Sequence, residues 1–315
     1  MSYWVLAYYH FTTIEDPLQE VVRHKEFFCS KDIKGRIYLS HQGINGQVSG
    51  EISVAKEYIE WLSSDSRFQG VDFKIQAHSE HCFPRMTVKY RAQLIALDFP
   101  IDFSSIGTAE YLTSREWKAR LRDQSREIVL VDVRNRYESK IGHFEGALLP
   151  EVDQFRYFPQ YLLTLKQRCQ DSRTDILLYC TGGIRCEFYS AYLRQQGFKN
   201  LYQLQGGIIK YGIEEGSEYW RGKLFVFDDR LTISLSGNQE VISHCQFCKE
   251  ASDRYFNCAN SRCNELYLSC VPCAISEEGC CSSECRRSLN KRPFQGADHQ
   301  KPFRRLSHIQ KRNIL

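Results

Sequence analysis

The chain has 315 residues, enough for two or three domains, and its 42% hydrophobic and 25% charged residues are the composition of a folded protein rather than a fibrous or disordered one. No run of about 18 apolar residues occurs, so no membrane-spanning helix is expected. The net charge of +4 hides an asymmetry: residues 286–315 hold nine lysines or arginines against one acid, Asp298, which leaves the rest of the chain at −4. A basic segment on a mildly acidic body points either to a polyanionic partner or to a solubilising tail. Fourteen cysteines, nine of them between Cys245 and Cys285, fit a reducing cytoplasmic compartment and a metal cluster better than a disulfide framework.

The first region runs over residues 1–97. Met1 to His10 lacks a basic leader segment, and Tyr3–Phe11 reads as a strand rather than a signal peptide. A helix is expected over Leu18–Cys29, strands over Gly35–Ser40 and Gln47–Ser49, and a second helix over Ser53–Ser63, where Ala55, Ile59 and Leu62 share one face. Strands at Asp72–Gln76 and Thr87–Leu97 complete the region. The order β-α-β-β-α-β with a last strand is that of a ferredoxin-like, acylphosphatase-like α+β sandwich. The segment His41-Gln-Gly-Ile-Asn-Gly46 lies between two strands, as a tight hairpin or as a ligand loop with exposed N–H groups. His78-x-Glu80 with His81 reads as a polar loop rather than a metal triad, because no distal histidine motif accompanies it.

Asp98–Ser114, with Pro100, Ser104, Ser105 and Gly107, reads as a linker. An α/β domain follows over residues 107–221. Ile128 to Arg134 gives a strand ending in Asp132-Val-Arg134, Tyr137-Glu138 a turn, and Gly142-His143-Phe144-Glu-Gly-Ala147 an approach segment. Ile176–Tyr179 is an apolar strand, and a helix is expected from Cys186 to about Gln196 with Phe188, Tyr192 and Leu193 toward the sheet. Between strand and helix stand Cys180, Thr181, Gly182, Gly183, Ile184 and Arg185. A strand, a Gly-containing loop and a helix N-terminus surround a Cys with backbone N–H groups, an anion site that favours a thiolate or a bound persulfide. Arg185 adds a fixed positive charge. The loop is one residue shorter than a tyrosine-phosphatase loop, which argues for sulfur over phosphate as the group it holds. Gly197-Phe198 and Leu201 to Ile208, with Gly206-Gly207, follow. Together these four motifs resemble a rhodanese domain. Cys180 is the expected nucleophile or redox thiol. Cys186 either resolves a sulfenate or persulfide on Cys180 or packs at the helix start.

Leu224–Ser236 reads as one or two strands opening a Cys-rich module over residues 222–290. Cys245-x2-Cys248, Cys258-x4-Cys263, Cys270-x2-Cys273 and Cys281-x3-Cys285 make four paired knuckles, eight ligands for two tetrahedral sites. Cross-bracing would join the first knuckle to the third and the second to the fourth; sequential pairing is the alternative. Cys280 or His244 could replace a ligand, and iron–sulfur chemistry also uses four thiolates, but paired knuckles on a small module favour structural zinc. A basic tail occupies residues 291–315. No flavin or NAD fingerprint is seen.

With all regions read, the chain resembles, nearly end to end, the bacterial rhodanese-like family once called YceA and now named for tRNA uridine(34) hydroxylase, TrhO. The residues that carry the resemblance are Gly43-Ile-Asn-Gly46, Asp132-Val-Arg134, Gly142-His143-Phe144, Cys180-Thr-Gly-Gly-Ile-Arg-Cys-Glu187 and Asn257-Cys258-Ala259-Asn260. It implies hydroxylation of the wobble uridine of tRNA to 5-hydroxyuridine with oxygen as co-substrate. The loop alone equally fits a persulfide sulfurtransferase serving a protein or small-molecule acceptor. A tRNA substrate would present its anticodon loop, whose unpaired base is cheaply flipped. The receiving pocket is expected where Cys180 and Arg185 meet the first domain, with Asn45, Arg85 and Lys89 as contacts.

Overall fold

The computed structural model describes residues 2–97, 107–123, 125–169 and 174–294. The greater part of the expected linker (98–106) and of the basic tail (295–315) lies outside the described residues. The chain divides into two units, Met1–Arg136 with Gly146–Tyr219, and Tyr137–Glu145 with Trp220–Leu315.

In the first unit, β1 (Tyr3–Phe11), α1 (Pro17–Phe28), β2 (Ile33–Ser40), β3 (Gly43–Glu51), α2 (Ile52–Ser63) and β4 (Lys74–His78) follow the ferredoxin-like order. The sheet runs β4-β1-β3-β2, antiparallel throughout, and β5 (Met86–Tyr90) adds a parallel strand beside β2. Strand alternation explains the layering. Leu6, Tyr8, Ile37, Leu39, Ile44, Val48 and Val88 point to one side and bury against Val21, Phe28, Ala55, Tyr58 and Leu62 of the two helices. Asp16 caps α1 through the backbone N–H groups of Leu18 and Gln19, and Pro17 fits the first turn, where its missing N–H costs nothing.

The structure bears out the hairpin and corrects two strand boundaries in this region. His41-Gln42 alone makes the turn, because Gly43 to Gly46 belong to β3; the segment is a tight hairpin. Gly46 is there for space, since a Cβ at that position would fall 2.2 Å from the Tyr8 hydroxyl. The last strand ends at Tyr90, not Leu97, because Leu94, Ile95 and Leu97 turn away to join the core of the α/β domain.

That domain carries a parallel sheet in the order β6-β10-β9-β7, formed by β6 (Glu110–Leu112), β7 (Ile128–Asp132), β9 (Asp175–Tyr179) and β10 (Leu201–Leu204). β6 and the start of α3 (Ser114–Arg122) fall inside the expected linker, so residues 107–114 are part of the fold. Thr113 and Glu116 close a capping box there. α4 (Leu162–Arg168), α5 (Ile184–Gln195) and α6 (Gly207–Glu214) complete the domain. α5 begins two residues earlier than the sequence suggests. It is buried almost all round, which is why its apolar residues show no single stripe. Phe188 and Leu193 enter the core as expected, joined by Tyr189.

In the second unit, β8 (Gly142–Phe144) pairs with β11 (Trp220–Gly222), so residues 137–145 group with the C-terminal part rather than with the α/β sheet. The expected strands at Leu224–Ser236 are two short ones, β12 (Leu224–Phe225) and β13 (Thr232–Ile233). β14 (Tyr255–Asn257) pairs with β15 (Leu266–Leu268), and α7 (Val271–Ser276) and α8 (Ser283–Arg287) close the Cys-rich part. Among the described residues no helix is long and apolar enough to cross a membrane.

Candidate active site and metal centres

β9 delivers Cys180 to the mouth of α5. The strand end is fixed from beneath by Asp132 and Arg134, both fully buried and joined by two hydrogen bonds of 2.8 and 2.6 Å, while Val133 N–H donates to the Tyr179 carbonyl. A buried ion pair of this kind adds little net stability but fixes a geometry. Gly183 takes a positive φ of 103°, turning its N–H onto the Cys180 sulfur at 3.1 Å. From the other side the N-terminus of α6 grips the loop: Ile208 N–H donates to the Cys180 carbonyl and Ile209 N–H to that of Thr181. Gly207 makes this approach possible, since a Cβ there would sit 2.5 Å from the Cys180 carbonyl oxygen.

Cys180 is 1% exposed. Burial alone would push its thiol up. The Cys186 thiol, the Arg185 charge and the backbone N–H groups of residues 185 and 186 together outweigh that, and hold it at about 5. Cys180 therefore stands as a thiolate at neutral pH, at the positive end of a helix. Burial and the neighbouring thiolate push Cys186 well above the ordinary thiol range, so it keeps its proton and donates it to Cys180. Arg185 is nearly buried and steadied by Thr181 Oγ1 at 3.2 Å.

The first domain closes over this loop with residues that the sequence did not single out. The Tyr9 hydroxyl stands where a Cβ on Gly183 would meet it at 2.8 Å, and donates to Glu187 Oε1 at 2.9 Å. Tyr111 and Gln203 also donate to Glu187, yet burial still leaves its carboxyl above the ordinary range. Phe11 meets Phe188 edge to face. Lys74 lies over the Tyr9 ring at 4.9 Å and 3.5 Å from Asp72, which also reaches Lys210 of α6 at 3.4 Å. Burial lowers the Lys74 ammonium, against the pull of Asp72 and of the Cys180 thiolate. Tyr9 and Lys74 lay hidden in the sequence because strand alternation reads alike on both faces of a sheet, and only docking of the second domain tells them apart.

Of the expected substrate contacts, Asn45 stands directly across from Tyr9 in the β1–β3 register, and Lys89 lies two strands beyond Asn45, across Tyr38. Arg85 is not brought to them; it precedes β5, at the far end of that strand. His78 closes a turn with Glu80, and His81 meets Ser49 and Asp32, so these residues form a polar loop.

In the second unit the sulfurs of Cys245, Cys248, Cys270 and Cys273 lie within 4.8 Å of one another, as do those of Cys258, Cys263, Cys281 and Cys285. Knuckles one and three thus share one centre, and knuckles two and four the other. Sulfur separations of 3.6 Å (Cys248–Cys270), 3.6 Å (Cys263–Cys281) and 3.9 Å (Cys281–Cys285) are far too long for disulfides. They match the edge of about 3.8 Å that four thiolates at about 2.3 Å from a tetrahedral ion would make. The Cys281 N–H points at the Cys258 sulfur and the Asn260 amide at that of Cys285, the outer-shell donors such a centre needs. Cys280 stands apart, buried with its thiol toward the Glu278 carbonyl, and His244 joins neither group.

Three family models match successive parts of the chain: the UPF0176 acylphosphatase-like domain over residues 3–94, the rhodanese-like domain over 114–214, and a rhodanase C-terminal model over 221–286. Curated relatives match end to end. A protein of Protochlamydia amoebophila is 49% identical over 99% of this chain and 97% of its own length, and one of Chlamydia felis is 47% identical over 97% and 94%. One of Chlamydia muridarum is 46% identical over 96% and 92%, and all three are named tRNA uridine(34) hydroxylase.

Proposed function

The chain belongs to the tRNA uridine(34) hydroxylase family, and from that premise we propose that it hydroxylates the wobble uridine of tRNA to 5-hydroxyuridine with Cys180 as the reacting group. The observation that carries this reading is the setting of Cys180, buried in a loop where the Gly183 N–H donates to its sulfur at 3.1 Å and where Arg185 and the buried Cys186 thiol adjoin it, an arrangement that favours its thiolate. Such a pair supports redox work at sulfur: when one atom of dioxygen goes to carbon 5 of the uracil ring, the other is reduced to water by two electrons that Cys180 and Cys186 supply in becoming a disulfide, with the protons coming from the Cys186 thiol and solvent, and two external thiols, themselves joined as a disulfide, then restore both groups. Arg185 and the loop N–H groups hold the negative charge on Cys180 or on oxygen attached to it. Oxygen enters as co-substrate. The substrate is the anticodon loop, where uridine is unpaired and leaves its stack at small cost. Asn45 and Lys89 are proposed contacts to that RNA; Arg85, at the other end of β5, fits the role less well.

The two four-sulfur centres suit zinc in a structural role. Four thiolates fill a tetrahedron and leave no open position for chemistry. A cytoplasmic location fits both the free thiols and a tRNA substrate.

Nucleoside analysis of tRNA from a strain lacking the gene tests the reading. Loss of 5-hydroxyuridine derivatives is expected, restored by the wild-type protein and not by Cys180→Ser, since a serine hydroxyl is a poor nucleophile at neutral pH. Loss of a thiolated nucleoside instead would establish the sulfurtransferase reading.

A further inference from the structure

We infer that the helix-free face of the five-stranded sheet, covered around Val5 by Cys82 and Phe83 and exposed at Arg36, Lys89 and Arg91, is a track for single-stranded RNA that leads to the Cys180 loop. The inference rests on the proposed tRNA substrate and adds the surface that guides it. One face of this sheet is covered by α1 and α2. The other carries a continuous cross-strand row, Tyr9–Asn45–Tyr38–Lys89, set by the registers of β1, β3, β2 and β5. The neighbouring row is Lys74–Ala7–Gln47–Arg36–Thr87. Three strand spacings of about 4.8 Å put Lys89 roughly 14 Å from Tyr9. That is a platform for the two or three bases that aromatic residues on a four-stranded sheet can stack.

The chemistry along the rows is consistent with such a strand. Arg36, Lys89 and Arg91 are exposed, and among the described residues no ion pair engages them. Neither row contains an acid; Glu51, in the same alternation, stands at the far end of β3 beyond Gln47 and Ser49. Arg91 lies 5.0 Å over the Tyr38 ring, so a flat guanidinium–aromatic stack rises from the middle of the platform, where a base can add to it. Between the charged residues the floor is low, with Ala7 and Thr87. A charged strand face is commonly just solvated. This one has a direction: its last aromatic, Tyr9, is the residue against Gly183 and hydrogen-bonded to Glu187. A base leaving the row at Tyr9 stands beside the Cys180 loop. A duplex hides its base faces, so stacking selects single strands.

The test uses the full chain and two probes, a uridine-containing single-stranded RNA and the duplex of the same sequence, titrated over a range of salt. The double variant Arg36→Gln/Lys89→Gln should weaken single-strand binding roughly tenfold and flatten the logarithmic salt slope by about 1.4, near 0.7 for each phosphate no longer neutralised. Tyr38→Ala should weaken it about tenfold as well, while Tyr38→Phe, which keeps the ring, should bind like the wild type. Duplex binding should change little. The thiolate absorbance of Cys180 in each variant checks that the loop is intact. Unchanged single-strand affinity in both the double variant and Tyr38→Ala overturns the track, as does displacement of the RNA by polyglutamate at equal charge concentration, which would mark the face as a protein-binding one. If the variants lose RNA affinity but the wild type makes no 5-hydroxyuridine, the track stands and the proposed reaction falls. Hydroxylation with unaltered RNA affinity in the variants leaves the reaction and removes the track.

Discussion

Cys180 shows how a buried thiol becomes anionic. Desolvation opposes ionisation, and three local donors reverse it: the Cys186 thiol, the Arg185 guanidinium and the first N–H groups of α5. The folded value of about 5 lies below the ordinary thiol value of about 8.5, so the thiolate's contribution to stability is complete above that ordinary value and is lost as the pH falls through about 5. The ultraviolet thiolate absorbance that Cys180→Ser removes should therefore titrate with a midpoint near 5. A midpoint in the ordinary thiol range would show that the loop does not hold the charge. Cys186→Ser separates that residue's two roles. Its hydroxyl can still donate to Cys180, so the midpoint should stay low, but it forms no disulfide, so turnover should fall about as far as in Cys180→Ser. Turnover close to wild type would reduce Cys186 to a hydrogen-bond donor. Most of this loop was legible in the sequence, because strand, Gly-containing turn and helix start are local signals carried by adjacent residues. Tyr9 and Lys74 were not, because what sets them apart is a contact with residues more than a hundred positions away.

At the scale of elements, legibility depended on the same distinction between local and distant causes. β1, α1 and α2 followed from local apolar pattern. The end of β5 did not, since Leu94 and Leu97 are apolar enough to continue a strand and are drawn instead into the core of the next domain. β6 was read as linker because three residues at a sheet edge leave almost no pattern. The knuckles were legible from spacing alone, and the structure adds the partners: Cys245 and Cys248 with Cys270 and Cys273, Cys258 and Cys263 with Cys281 and Cys285. The small elements between them, β14, β15, α7 and α8, bury few side chains, and three of the seven buried residues in their core cluster are cysteines. Folding there should depend on the metal. Metal analysis is expected to return close to two zinc ions per chain. A strong chelator should open residues 245–285 first, seen as hydrogen exchange in that stretch before any loss of protection in β9 and α5. Stoichiometric iron with visible absorbance would replace zinc by an iron–sulfur assignment, and simultaneous loss of protection in both units would remove the module's independence.

At the scale of the molecule, charge is distributed more finely than a basic tail on an acidic body. Part of the basic sequence belongs to the folded Cys-rich part. Lys291 pairs with Glu278, Arg292 donates to the Ala259 carbonyl at 3.2 Å and to Asn264 at 2.9 Å, and Phe294 packs where Gly279 leaves room. Removing these residues would injure the second metal centre, so a clean deletion begins after Phe294. It removes five lysines or arginines and one acid, a change of four charges. Polyanion binding releases counterions, and each phosphate that a cation neutralises adds about 0.7–0.9 to the logarithmic salt slope. If the deleted segment reaches tRNA, the truncated protein should bind it more weakly, and its slope should be shallower by that amount for every phosphate the segment had neutralised. Base choice should not change, because phosphate contacts position a nucleic acid and do not read it. The modified nucleoside should remain at the wobble uridine, formed more slowly at low tRNA concentration and at an undiminished rate when tRNA is saturating. An unchanged dissociation constant and slope would assign all of the electrostatic attraction to the folded part, where Arg36, Lys89 and Arg91 stand exposed on one sheet face.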